Sequence, residues 1–282
     1  LAIIFTKESP SFVIVQGDTF SAFGGALSSY LHGIPVGHVE AGLRSNDLDS
    51  PWPEEGLRRM IDGIAKVLWV PTELDMVSTC GDQSIFVTGN TVVDALRIFA
   101  KDDLEITKSN NILITLHRRE SFGQTLESAL HNISNLCTQY PNYNFKFIVH
   151  PNPAVGDAIE KTKFSAKNLQ LIPPVPYKKF ISLLKNSALV ITDSGGIQEE
   201  AAVLGVPLLV LRENTERESA LIENLSKLSA PDGSSLLSDF KLLILQERLN
   251  NNSEVFGKGF ASEIIVNQVS AHLSKTKVHN GN

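Results

Sequence analysis

Short apolar runs alternate with segments of helical spacing along most of the chain, and few folds accept that pattern. Candidate strands are FVIVQ (12–16), IPVGHV (34–39), VLWV (67–70), SIFVT (84–88), NILITL (111–116), FKFIV (145–149), LQLI (169–172), ALVI (188–191) and VPLLVL (206–211). Between them, 20–32, 54–65, 125–139 and 178–186 carry the spacing of amphipathic helices. Strands separated by helices build βαβ units with parallel strands and right-handed crossovers. Uninterrupted apolar runs suit strands buried on both faces. The fold class expected is α/β, with two Rossmann-like domains.

The charged stretch FAKDDLEITKSN (99–110) lacks strong periodicity and divides two βα series. The first domain is expected over residues 1–100, with about four strands. Its opening, LAIIFTKESP, shows no Gly-rich βα turn, so this domain is expected to be incomplete at its N-terminus. The second domain is expected over 108–260, with about five strands, enough for a doubly wound sheet. Residues 261–282 should form a C-terminal helix packing back on the first domain, then a tail. The chain does not start with Met, and its true N-terminus is expected upstream of Leu1.

Composition narrows the function classes. Hydrophobic residues make up 42% and charged residues 20%, enough to bury a core. A formal charge of −6 argues against a general nucleic-acid binder, though not against a local anion pocket. No apolar run is long enough to span a bilayer. Cys80 and Cys137 are far apart and show neither metal nor redox spacing, which fits a reducing cytoplasm. No metal is expected, and no G-x-G-x-x-G follows a strand to support a nicotinamide cofactor.

In a doubly wound architecture the ligand lies at the carboxyl ends of the strands, and the cleft between the two sheets is where one is expected. Polar clusters fall at those ends in order: GDT (17–19), EAGLRS (40–45), HRRESFG (117–123), HPNP (150–153), TDSGGIQEE (192–200) and RENTER (212–217). Asp18 either caps a helix or faces the cleft. Glu40 either faces the cleft or pairs with Arg44. Glu54 and Glu55 follow Pro53 at a helix start, where they also suit the helix dipole. His117, beside Arg118 and Arg119, fits an anion site. His38, inside a strand, is read as structural. Ser194, Gly195 and Gly196 offer backbone N–H groups at a helix N-terminus, a phosphate site. Glu199 and Glu200 cannot both meet a phosphate; one is free to accept from sugar hydroxyls. Arg212 and Arg217 could add positive charge.

Taken together, GDT, PVGHVEAGLRS (35–45), SPWPEEGLRR (50–59), FVTGNTVVDAL (86–96), HRRESFG, TDSGGIQEEA and TER (215–217) resemble the bacterial non-hydrolysing UDP-N-acetylglucosamine 2-epimerases. The resemblance runs from about residue 12 to about residue 217. It implies a fold like that of the GT-B glycosyltransferases, a homodimer, no cofactor, and reversible inversion at C2 of UDP-GlcNAc to UDP-ManNAc for surface polysaccharide precursors. The C2 proton is not acidic, so the family eliminates UDP to a 2-acetamidoglucal and re-adds it after protonation of the other face. By motif, the resemblance implies Asp18, Glu40 and Glu54 as acid/base carboxylates and His117 as the catalytic histidine near the leaving diphosphate. Ser194, Gly195 and Gly196 match the phosphate turn, Glu200 the ribose contact and Phe180 the position against uracil. Arg118 and His150 match residues used for a second, activating UDP-GlcNAc. No role is implied for Glu199.

Departures stand beside these matches. The family's front GTRPE-type turn is absent. Glu218 replaces the proline after TER, with ALIENLSK (220–227) beyond it, and Pro151 directly follows His150. Without its front strands the piece is expected to be inactive or poorly soluble alone. Alternatives are a hydrolysing epimerase that releases ManNAc, and a GT-B glycosyltransferase, whose donor-binding segment SGGIQEEAAVLGVP resembles.

Overall fold

A computed structural model describes residues 1–77, 82–99, 109–222, 226–245 and 253–279. Cys80 and most of the charged divider (99–110) lie outside the described residues. The strands are β1 (Val13–Gln16), β2 (Val36–Val39), β3 (Val67–Val70), β4 (Ser84–Val87), β5 (Asn111–Thr115), β6 (Asn144–Ile148), β7 (Leu169–Ile172), β8 (Leu189–Thr192), β9 (Leu208–Leu211) and β10 (Ser226–Ser229). All pair in parallel, within one sheet of four strands and one of six. The chain is thus an α/β protein with two Rossmann-like sheets. Its two compact units are Leu1–Asp94 with Phe256–Asn282, and Ala95–Val255.

The first unit orders its strands β1-β2-β3-β4. One face buries Val15, Val36, Leu68 and Val70 against Ala22, Ala26 and Ile61 from the helices Phe20–Leu31 and Glu54–Ile64. On the other face, Val39, Val67 and Trp69 pack against Ile265 of the helix Ala261–His279. Trp69 Nε1 donates to Gln268 Oε1 at 2.6 Å. The indole lies so close to β2 that a Cβ at Gly37 would collide with it, so only glycine fits there. Asp94 accepts from the N–H groups of Ala261 and Ser262 at 3.0 and 2.7 Å and caps the returning helix.

The second unit has the order β10-β9-β8-β5-β6-β7. The chain lays β5, β6 and β7 outward in one direction, then returns to place β8, β9 and β10 on the other side of β5. The order reverses between β5 and β8, and the carboxyl ends of those two strands define the ligand crevice in such sheets. Alternate residues serve opposite faces. Ile112 and Ile114 join Phe145, Phe147 and Leu130 in one core cluster, while Leu113 joins Val190, Val210 and Leu184 in the other. Both faces are covered, which is why these strands are apolar throughout. The sequence pointed to about five strands here; the structure has six. The extra strand, β10, has one apolar residue in SKLS and pairs with β9 alone among the described residues.

Candidate active site

In the first unit the polar residues gather at the carboxyl ends of β1 and β2 and the start of the helix Glu54–Ile64. Gly17 turns the chain out of β1 at φ 70°, and Asp18 follows. Asp18 does not cap the next helix: Thr19 does, its Oγ1 accepting from Ala22 N at 3.2 Å. Asp18 instead takes an ion pair from Arg58. The Arg58 side chain, 1% exposed, also donates to Glu55 Oε2 and to the Leu43 carbonyl, both at 3.1 Å. Glu55 is fully buried and accepts further from Ser45 N at 3.0 Å and Arg59 Nε at 2.8 Å. Its neighbour Glu54, one helical position earlier, is only half-buried.

Glu40 leaves β2 with a φ of 65°, in the left-handed region that few non-glycine residues adopt. Arg44 pairs with Asp62 at 2.6 Å. Asp62 also holds His38 Nδ1 at 2.6 Å, and His38 Nε2 reaches the Gly17 carbonyl at 2.8 Å. Burial would raise the Asp62 carboxyl, but His38 and Arg44 outweigh it and hold it below its ordinary value. The buried His38 thus ties β2 to the turn that carries Asp18.

In the second unit the switch point gathers the rest. His117 and Arg118 follow β5; Asp193 and Ser194 follow β8. Asp193, 1% exposed, accepts at Oδ2 from the backbone N–H groups of His117 (2.8 Å) and Arg118 (2.9 Å). His117 Nδ1 stands 3.2 Å from Asp193 Oδ1. The His117 ring stacks on His150, with centroids 5.1 Å apart and planes at 17°. Burial lowers the His117 pKa below its ordinary value, helped by His150 and Arg118 and opposed by Asp193 and Glu120. Burial thus favours the neutral form of the imidazole.

Ser194 is the N-cap of the helix Gly195–Val203 and makes no capping bond with its own side chain. Gly196 is exposed, and a Cβ there would touch nothing within 4 Å. Gly195 is buried over a guanidinium: its Cβ would lie 2.9 Å from Arg217 Nη1. Arg217 and Arg212 are not spare cations. Arg217 pairs with Glu199 at 2.9 Å and with Glu216, and Arg212 pairs with Glu216 at 2.9 Å. Arg118 reaches the same Glu216 at 3.5 Å and Glu120 at 2.9 Å. The role missing for Glu199 is thereby supplied: it holds Arg217 beneath the Gly195 turn.

A cavity of about 300 Å³ opens beside these residues, lined by Thr115, His117, His150, Tyr177, Phe180 and Ile197 among others. Phe180 and Tyr177 stack with centroids 6.5 Å apart. Tyr177 Oη donates to Glu200 Oε1 at 2.7 Å, and burial pushes the Glu200 carboxyl up to about 7 against that hydrogen bond. Phe180, His150 and His117 thus share one crevice at the switch point of the second sheet, with Ile197 of the helix that Ser194 caps in its wall. Sequence reasoning gave no part to Asp193 or Tyr177. A signal existed for each: Asp193 sits between a strand end and Ser194, and Tyr177 lies one helical turn before Phe180. Among the described residues, no group of three His, Cys, Asp or Glu side chains is placed to hold a metal ion. No helix among them is long and apolar enough to cross a membrane.

Two parallel-sheet units, one carrying carboxylates and the other a switch-point crevice with a Ser-Gly-Gly helix start, define a two-unit α/β protein of GT-B-like fold. A crystal structure of trehalose 6-phosphate synthase from Burkholderia multivorans, 11% identical, superposes with a TM-score of 0.62 over 100% of this chain and 75% of that one, and shares that fold. Residues 1–270 match the family UDP-N-acetylglucosamine 2-epimerase, and the chain belongs to it. The Neisseria meningitidis UDP-N-acetylglucosamine 2-epimerase is 38% identical, the alignment covering 94% of this chain and 77% of that protein. The Escherichia coli K12 enzyme of the same name is 37% identical over 86% and 70%. The Neisseria meningitidis crystal structure, bound to UDP-GlcNAc, has a TM-score of 0.89 at 35% identity, covering 96% of this chain and 79% of that chain.

Proposed function

We propose that this chain is a non-hydrolysing epimerase that interconverts UDP-GlcNAc and UDP-ManNAc. A proton leaves C2 as the C1–O bond to UDP breaks; the C2–H electrons form the C1=C2 bond of a 2-acetamidoglucal, and UDP takes the C1–O electrons. UDP then adds back to C1 as a proton is delivered to the opposite face of C2. Asp18, Glu40 and Glu54 carry the proton traffic, which needs positioned carboxylates. His117 stands by the departing diphosphate. Ser194, Gly195 and Gly196 hold the phosphates at the helix start, Glu200 accepts from the ribose and Phe180 packs on uracil. The observation that carries this reading is that Asp193, the residue directly before Ser194, holds the backbone of His117 and Arg118 with its carboxylate and stands 3.2 Å from the His117 ring. Bond cleavage at C1 needs a histidine and a diphosphate cradle side by side.

The same reading makes the enzyme a cytoplasmic homodimer without cofactor, with Arg118 and His150 available to a second, activating UDP-GlcNAc. NMR assay of Asp18→Asn, Glu40→Gln, Glu54→Gln and His117→Asn in the intact gene product tests it. Each is expected to lose interconversion by about 10²- to 10⁴-fold. Wild-type turnover in all four would overturn the reading, and release of free ManNAc would replace it with the hydrolysing reaction.

A further inference from the structure

Asp193 is buried and aimed at the one histidine the reaction needs. Its Oδ2 is fixed by two backbone N–H donors, from His117 and Arg118. That leaves Oδ1, which is buried and makes no formed hydrogen bond among the described residues. His117 Nδ1 stands 3.2 Å from it, so a small rotation of the imidazole completes the bond. Hydrogen bonds of this kind are often long without substrate and tighten with it. A buried carboxylate oxygen without its donor is costly, so the ring has a strong reason to turn its N–H that way.

We propose that Asp193 is the positioning residue of His117: its carboxylate selects the tautomer with the proton on Nδ1 and leaves Nε2 as the nitrogen presented to the leaving diphosphate. A carboxylate accepts and does not donate, so a neutral imidazole facing Oδ1 must carry its proton on Nδ1. Nε2 is then a lone pair that takes a proton from water as the anionic diphosphate binds; the imidazolium, held at Nδ1–H by Asp193, donates that proton from Nε2 to the departing oxygen and recovers it on re-addition. The stacked partner ring is set the opposite way. His150 Nδ1 accepts from Asn152 N at 3.1 Å, which puts the neutral proton of His150 on Nε2. A backbone N–H faces Nδ1 of His150 and a carboxylate faces Nδ1 of His117, and that difference sets the two rings apart. Asp193 also directly precedes Ser194, so the residue that faces the histidine is next in the chain to the turn proposed for the phosphates. The assignment of Nε2 to the diphosphate rests on the epimerase reading; the tautomer does not.

The test is ¹⁵N NMR of histidine-labelled, ligand-free protein. His117 is expected with its proton on Nδ1; a proton on Nε2 overturns the proposal, and this needs neither a variant nor a substrate. In Asp193→Asn the amide N–H₂ turns towards Nδ1 and the tautomer is expected to switch to Nε2–H. Turnover of UDP-GlcNAc should then fall by about 10²- to 10⁴-fold with KM nearly unchanged. In a His117→Asn background, Asp193→Asn should cost nothing further. An equal loss in both backgrounds, or a rise in KM that accounts for the loss, would make Asp193 a structural strut and overturn the proposal. A switching tautomer in a protein that epimerises nothing would uphold the positioning and sink only the epimerase reading.

Discussion

Glu199 and Arg217 form a buried ion pair, with Glu199 Oε1 accepting from Arg217 Nε at 2.9 Å and the side chains 1% and 7% exposed. The pair opens a network that runs through Glu216 to Arg212 and Arg118. Removing one member of such a pair takes from a buried charge one of its partners, although Arg217 keeps Glu216. Glu199→Ala is therefore expected to cost about 3–5 kcal/mol in urea unfolding. A loss below about 1 kcal/mol would show that Glu199 does not support this helix start.

The two glycines of the turn should part company. Gly195→Ala pushes a methyl to within 2.9 Å of Arg217 Nη1 and 3.2 Å of Glu216 Oε1, both tied into the network, and should lower the melting temperature. Gly196→Ala meets nothing and should leave the melting temperature alone; on the proposed placement of the phosphates at this turn, its methyl should weaken UDP binding. Calorimetric titration with UDP separates the cases. Unchanged UDP affinity in Gly196→Ala would move the phosphates away from this turn.

Much of this was legible beforehand, for physical reasons. Strands such as β5 and β8 are buried on both faces, so their sequences are apolar without a break, and the polar residues that follow stand out. What stayed hidden depends on partners far apart in sequence. Whether Asp18 capped a helix or faced the cleft stayed open until Thr19 took the cap and Arg58, on another helix, took Asp18. Arg212 and Arg217 looked like free cations because nothing local reveals that Glu216 and Glu199 face them. The strand β10 was missed because SKLS lacks the β-branched and aromatic residues that mark a strand.

Glu200 gives a pH signature. Its carboxyl is pushed from 4.5 up to about 7 by burial, so the folded state binds the proton more tightly than the unfolded one. This group favours folding below its unfolded value, and the contribution is lost as pH rises through about 7, a difference of ~3 kcal/mol. Glu200→Gln is always neutral and keeps an acceptor for Tyr177. Its melting temperature should exceed that of the wild type by more at pH 8 than at pH 5. Other titrating groups are common to both proteins and cancel. A gap independent of pH would refute the raised pKa.

Arg58 joins Asp18, Glu55 and the Leu43 carbonyl with one side chain. Arg58→Ala strands a fully buried Glu55 on its remaining donors, Ser45 N and Arg59 Nε. It should destabilise the first unit by about 3–5 kcal/mol, read as a lower thermal transition. A melting temperature equal to the wild type would mean that Asp18 is held by something other than this arginine.

Elimination and re-addition demand that the C2 proton leave and one from solvent take its place, which a route that never breaks the C2–H bond does not. The intact gene product, incubated with UDP-GlcNAc in D₂O and followed by ¹H NMR, is predicted to yield UDP-ManNAc carrying deuterium at C2, with no free ManNAc at early times. UDP-ManNAc that retains its original C2 proton, or no epimer at all, would contradict the account.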